Sequence, residues 1–130
     1  MRILLDTHIL LWALAGSDRI DEKTKELILD PDNEIYYSTV SPWECEIKHR
    51  KHPEMFKVTA EQLLFLCRQA EYENLSILDR HVRELQRLDG PEHRDPFDRM
   101  LLAQARAENM ILITHDKKFT IHNDPHIYYC

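Results

Sequence analysis

Asp6, Glu44, Asp95, Asp98 and Asp116 are the residues of this chain best placed to do chemistry. Asp6 follows the apolar run Ile3-Leu4-Leu5 directly, and Asp116 lies two residues past Met110-Ile111-Leu112-Ile113-Thr114. Glu44 comes three residues after Ser41, and Asp95 and Asp98 bracket Pro96-Phe97. In an open parallel sheet, sites lie beyond the carboxyl ends of the strands, where the following helices begin. Asp6, Glu44 and Asp116 are therefore expected at that edge. The Asp95/Asp98 helix leads into a strand, so its start reaches the edge only if the preceding loop folds over it.

Acids gathered at one edge need a counter-charge. Two like charges about 4 Å apart repel by roughly 4 kcal/mol at an effective dielectric near ~20. Several converging carboxylates are kept ionised most economically by a divalent cation. An all-oxygen donor set without convergent Cys or His favours Mg²⁺ or Mn²⁺ over Zn²⁺. Such an ion lowers the pKa of a bound water, orients it for in-line attack and neutralises a leaving oxygen; one or two ions suit phosphodiester hydrolysis. They also let an acidic protein approach a polyanion.

Each acid has a plainer local role. Ser41-x-x-Glu44 fits a capping box, Asp95 an N-cap, and Asp98 a first-turn acid favourable to the helix dipole. Each placement is worth about 0.3–1 kcal/mol. Asp6 and Asp116 fit plain loop acids, and neither these readings nor local capping explains why acids recur along one rim.

The elements that must position these acids can be read from apolar patterning. Ile3-Leu4-Leu5, Ile35 to Ser38, Leu75 to Leu78 and Met110 to Thr114 read as buried strands, with His126 to Tyr129 as a last edge strand. Helices are expected over Ile9 to Ala15 (closed by Gly16), Asp21 to Asp30, from Ser41 with Pro42 at its first position, and from Ala60 to about Glu73 after Thr59. Two more are expected, one capped by Asp79 and running through Leu88 until Asp89-Gly90-Pro91 breaks it, the other opened by Asp95. Strands alternating with helices predict one α/β domain over 1–130, a parallel sheet of four or five strands with helices on both faces.

Composition narrows the class. With 17 Lys and Arg against 23 Asp and Glu, the net charge of −6 excludes a polybasic coat for nucleic acid or membrane. Two glycines, Gly16 and Gly90, exclude glycine-rich phosphate loops. Cys45, Cys67 and Cys130 are scattered and odd in number, which points to a reducing, cytoplasmic setting without a disulfide framework. Asp6 and His8 interrupt the only signal-like stretch, and no run is long enough to span a membrane.

Four segments together resemble the PIN domain family. They are Leu4-Leu5-Asp6-Thr7-His8; Ser41-Pro42-Trp43-Glu44 with Ile47-Lys48; His93-Arg94-Asp95-Pro96-Phe97-Asp98 through Ala105; and Ile113-Thr114-His115-Asp116. They are most similar to the VapC-type toxins of bacterial and archaeal toxin–antitoxin pairs, in order and over nearly the whole chain. The resemblance implies a Mg²⁺- or Mn²⁺-dependent endoribonuclease, neutralised by an antitoxin and usually dimeric. It carries over Asp6, Glu44, Asp98 and Asp116 as the acidic set, with Asp95 as an alternative or supporting ligand. Thr7 and Thr114 resemble hydroxyl positions that steady the acids. Pro42 and Cys45-Glu46 depart from the family pattern in the helix bearing Glu44.

Lys48, Arg50 and Lys51 form the one dense basic run, and with Arg99 they are candidates for RNA phosphate contact. Arg99 is equally placed to pair with the acids. Trp43 is expected in the core rather than as a stacking surface. A zinc site at His122, His126 and Cys130 is not expected, because Pro125 opposes the helix it would need. Two other classes compete. A phosphoacceptor signalling domain would need paired acids after the first strand, where Asp6 stands alone. A non-catalytic interaction module would have no need of the complete acidic set.

Overall fold

The computed structural model describes residues 1–88 and 93–130. The expected break at Asp89-Gly90-Pro91 lies outside the described residues. The strands are β1 (Arg2–Leu5), β2 (Glu34–Ser38), β3 (Glu73–Leu75), β4 (Ile111–Thr114) and β5 (Ile127–Tyr129). All neighbours pair in parallel, in the order β3-β2-β1-β4-β5. The chain leaves β1 toward β2 on one side and joins β4 on the other. The order thus reverses at β1, and the crevice beyond the β1 and β4 ends is where such sheets hold ligands.

Side chains of a strand alternate between the two faces. Ile3, Leu5, Ile35 and Ile113 pack on one side with α1 (Thr7–Ala15), α2 (Glu22–Leu29) and α4 (Ala60–Gln69). Leu4 and Leu112 pack on the other with Leu101, Leu102 and Ala105 of α6 (Pro96–Glu108) and with Phe119. Helix α3 (Val40–Lys51) feeds both, Cys45 into the first core and Val40 into the second. Helix α5 (Asp79–Glu84) runs on into a 3₁₀ turn at Leu85–Arg87.

Four local expectations are corrected. Helix α3 begins at Val40, with Thr39 at its N-cap and no side-chain cap, so the Ser41–Glu44 box does not form. Both side chains turn to Thr7 instead, a tertiary partner replacing the local one. Helix α4 stops at Gln69, Glu71 takes a positive φ of 60°, and β3 enters the sheet at Glu73, ahead of the expected Leu75. Asp79 is the first residue of α5 rather than its cap, because the Leu78 N–H donates to Nδ1 of His81. Trp43 is 53% exposed. The buried positions of α3 are Val40, Ser41, Pro42, Glu44 and Cys45, which leaves Trp43 outward, edge-on to Phe97 with ring centroids 4.9 Å apart.

Candidate active site

Asp6 leaves β1 and caps α1. Its Oδ1 accepts the Ile9 N–H at 2.9 Å, and its Oδ2 accepts the Thr114 hydroxyl from the end of β4. Thr114 Oγ1 in turn accepts the Asp116 N–H at 3.0 Å. One threonine thus couples the acids that follow the two central strands. Asp116 Oδ1 accepts the Lys118 N–H at 2.9 Å and so opens the 3₁₀ helix Lys117–His122.

Glu44 reaches the same place from α3. Thr7 donates its hydroxyl to Glu44 Oε1 at 2.7 Å. A hydroxyl has one proton, so the Ser41 hydroxyl, 2.9 Å away, is the donor to Thr7. Glu44 Oε2 accepts from the Lys48 ammonium one turn later. Asp6 and Glu44 are each only 5% exposed.

The start of α6 does fold over the edge. Asp95 caps it, Oδ1 accepting from Phe97 N at 2.9 Å and Asp98 N at 3.1 Å. Asp98 Oδ2 lies 3.0 Å from Nε2 of His93, whose Nδ1 lies 2.9 Å from Nε2 of His122. The tautomers that satisfy both contacts have His122 donating to His93 and His93 donating to Asp98. His93 is 1% exposed and packs edge-on against Phe119, centroids 4.6 Å apart. The sequence offered no sign of it beyond its place just ahead of the helix cap. If Asp98 ligates a divalent ion, replacing His93 with Ala is expected to weaken Mn²⁺ binding about 10- to 100-fold, the usual cost of losing a group that orients a ligand. Isothermal titration of the metal-free protein reads this.

Five carboxylates, those of Asp6, Glu44, Asp95, Asp98 and Asp116, line one open cleft of about 490 Å³. Among the described residues two ammonium groups, Lys48 and Lys117, share it. The imbalance shows in the acids. Burial pushes Asp6 up to about 6; hydrogen bonds from Thr114 and Ile9 oppose this, and the charges of Glu44 and Asp116 add to it. Burial likewise lifts Asp98 to about 6, the His93 bond opposing and the Asp95 and Asp116 charges adding. Asp116 therefore acts on acids from both sides of the cleft. Burial disfavours the Lys48 charge, but Glu44, Asp95 and Asp98 outweigh that and hold its pKa above the ordinary lysine value.

The donor chemistry fits a hard divalent cation. The donors are oxygens, and the unbalanced charge is negative. Among the described residues no three His, Cys, Asp or Glu side chains stand close enough to form a ready-made cage. Mg²⁺ usually takes one or two carboxylates and keeps several waters.

The basic residues divide. Lys48 lines the cleft, whereas Arg50 pairs with Glu46 at 3.1 Å and Lys51 is exposed at the end of α3. Arg99 donates to the carbonyls of Leu88 and His93 at 3.4 and 3.3 Å, and is not among the groups that line the cleft. Lys117, Trp12 and Tyr129 line the cleft and were not foreseen.

A doubly wound parallel sheet carrying acids from four separate segments at its switch point is the architecture of the PIN domain. The chain belongs to that family: the PIN domain model matches residues 3–123. No curated protein sequence matches it. Among solved structures it is similar to a chain of VapBC2 from Rickettsia felis, determined bound to a DNA fragment from their promoter. The TM-score is 0.65 at 18% identity, over 100% of this chain and 98% of that one. A toxin-antitoxin complex from Klebsiella pneumoniae matches at 0.61 and 20% identity, over 98% and 99%. A domain of a functionally unknown protein from Methanocaldococcus jannaschii matches at 0.57 and 18%, over 99% and 90%.

Proposed function

We propose that this PIN domain is a Mg²⁺- or Mn²⁺-dependent endoribonuclease and the toxin of a toxin–antitoxin pair. In this reading it is a cytoplasmic homodimer neutralised by a cognate antitoxin. The carrying observation is the cleft itself: carboxylates from four separate segments with too few cations to balance them. A bound divalent ion supplies an activated water and charge neutralisation at the leaving oxygen. The ion would sit among Asp6, Glu44, Asp98 and Asp116, one or two of them ligating it directly and the others through its waters. Thr114 and Thr7 fix the carboxylate rotamers of Asp6 and Glu44, and His93 fixes that of Asp98. Asp95 anchors the start of α6 and supports Asp98. Lys48 and Lys117 offer charge to a phosphate. The likeness to the Rickettsia and Klebsiella complexes supports the antitoxin partner, and among the described residues no helix is long and apolar enough to cross a membrane.

The test is cleavage of an end-labelled RNA by the purified protein. Internal cleavage with Mn²⁺ or Mg²⁺, abolished by EDTA, is the expected result. RNA left intact across millimolar concentrations of both ions would sink the proposal.

A further inference from the structure

One wall of the cleft is aromatic. Tyr129, on the edge strand β5, is 41% exposed. Its ring is nearly parallel to that of His115, at 7° with centroids 6.0 Å apart. His115 in turn meets Trp12 at 64° and 5.5 Å, and Trp12 stacks at 26° on His8, one turn earlier in α1. All four rings line the same cleft as the carboxylates.

The backbone holds this wall in place. Thr114 pairs with Tyr129 in the β4–β5 ladder, and the Cys130 N–H donates to Thr114 O at 2.9 Å. His115 Nδ1 is hydrogen-bonded to the Cys130 carbonyl, which fixes its ring against Tyr129. The outer ring therefore stands beside the segment that carries Asp116. Packing alone does not require it, since Tyr129 and His115 are both exposed while the core lies beneath β4.

Electrostatics shows what such a wall is for. The chain carries a net charge of −6 and the cleft an excess of carboxylates, so Coulomb attraction from the protein does not hold a polyanion there. Stacking on an aromatic face is independent of net charge and needs an unpaired base. Lys117 lines the cleft, is exposed, and pairs with no carboxylate among the described residues, which leaves it for a flanking phosphate.

We propose that Tyr129 and His115, backed by Trp12, form a stacking site for an unpaired base of single-stranded RNA next to the bond to be cut. This inference rests on the ribonuclease reading above.

The test uses RNA heptamers carrying 2-aminopurine at each position in turn, bound to the full chain in an Asp98→Asn background with Mn²⁺ present. One position is expected to be quenched on binding. Tyr129→Leu should weaken binding about 5- to 100-fold, the range of one base–aromatic stack, and Tyr129→Phe should hold it within about twofold. An abasic nucleotide at the quenched position should cost the Tyr129 protein as much as Tyr129→Leu does, and should cost the Leu variant nothing further. A merely structural role for Tyr129 would make the two losses add. Additive losses, unchanged affinity, or no quenched position overturns the stacking site. If wild-type protein cuts RNA while any of these is seen, the stacking site falls alone. If RNA stays intact while the coupled loss is seen, the ribonuclease reading falls alone.

Discussion

Replacing Asp6 with Asn is expected to lower metal-dependent RNA cleavage by about 10³-fold, because a bound ion contributes several kcal/mol of transition-state stabilisation. The substitution deletes the charge and turns the oxygen that accepts the Thr114 hydroxyl into an amide donor, so Thr114 must turn its proton away from residue 6. Asn keeps the size of the side chain and keeps an oxygen to accept the Ile9 N–H, so the α1 cap survives. It removes an anion from the one position that follows the central strand and faces both Glu44 and Asp116. Asp98→Asn should behave alike, since Asp98 reaches the cleft from the other side. Asp21→Asn is the control. Asp21 caps α2 in the same way, accepting the Thr24 N–H at 2.8 Å, and does not line the cleft. Its cleavage rate is expected to stay within about twofold of wild type. Single-turnover cleavage of a labelled RNA reads all three variants, and an Asp6→Asn protein that cuts at the wild-type rate would remove Asp6 from the mechanism.

The same substitution should gain stability relative to wild type in the metal-free protein as pH rises through 6, set against a pH-independent cost for the lost Thr114 bond. The folded-state pKa of Asp6 is about 6 against an ordinary 3.8, so the native state binds this proton more tightly than the unfolded chain does. Below the ordinary value both states hold the proton and nothing is lost. As pH rises from about 4 to 6 the unfolded chain releases its proton first, and native stability falls; the cost is in full force above the folded pKa. A shift of this size corresponds to about 3 kcal/mol, or roughly 10 °C in Tm for a chain of this length. Asp98 acts in the same direction through the same cleft, so the two contributions do not simply add. Thermal unfolding in chelator should therefore show Asp6→Asn gaining on wild type between pH 4 and 6.5 and holding that gain at higher pH. Mn²⁺ at pH 7.5 should raise the wild-type Tm and leave the variant nearly unmoved. Wild-type and variant Tm values that run parallel across this range would show that the Asp6 charge costs the fold nothing.

Much of the fold was legible because its signals are local. β1, β2 and β4 are short apolar runs, and β5 carries β-favouring residues. The caps Thr59 and Asp95 stand where their types predict. β3 was misplaced because Glu73-Asn74 carries no apolar signal and owes its place to pairing with Tyr36 and Tyr37. The α3 start was misread because Ser41 and Glu44, a good capping pair on paper, found a better partner in Thr7. For Asp95 the expected capping role and the cleft position are both realised, and Asp6 and Asp116 also hold a helix or 3₁₀ start with one oxygen, which their reading as loop acids did not include.

Which residues carry negative charge, and that they stand at strand ends and helix starts, follows from the order of amino acids alone, since strand period and cap chemistry act within a few residues. How deeply each carboxylate is buried, which hydroxyl or imidazole it accepts from, and which rings face it depend on contacts between segments as distant as Asp6 and Thr114 or Glu44 and Thr7. Desolvation and through-space charge act over a few ångströms regardless of chain separation, so only the folded chain decides which acids resist ionisation and what the cleft can hold.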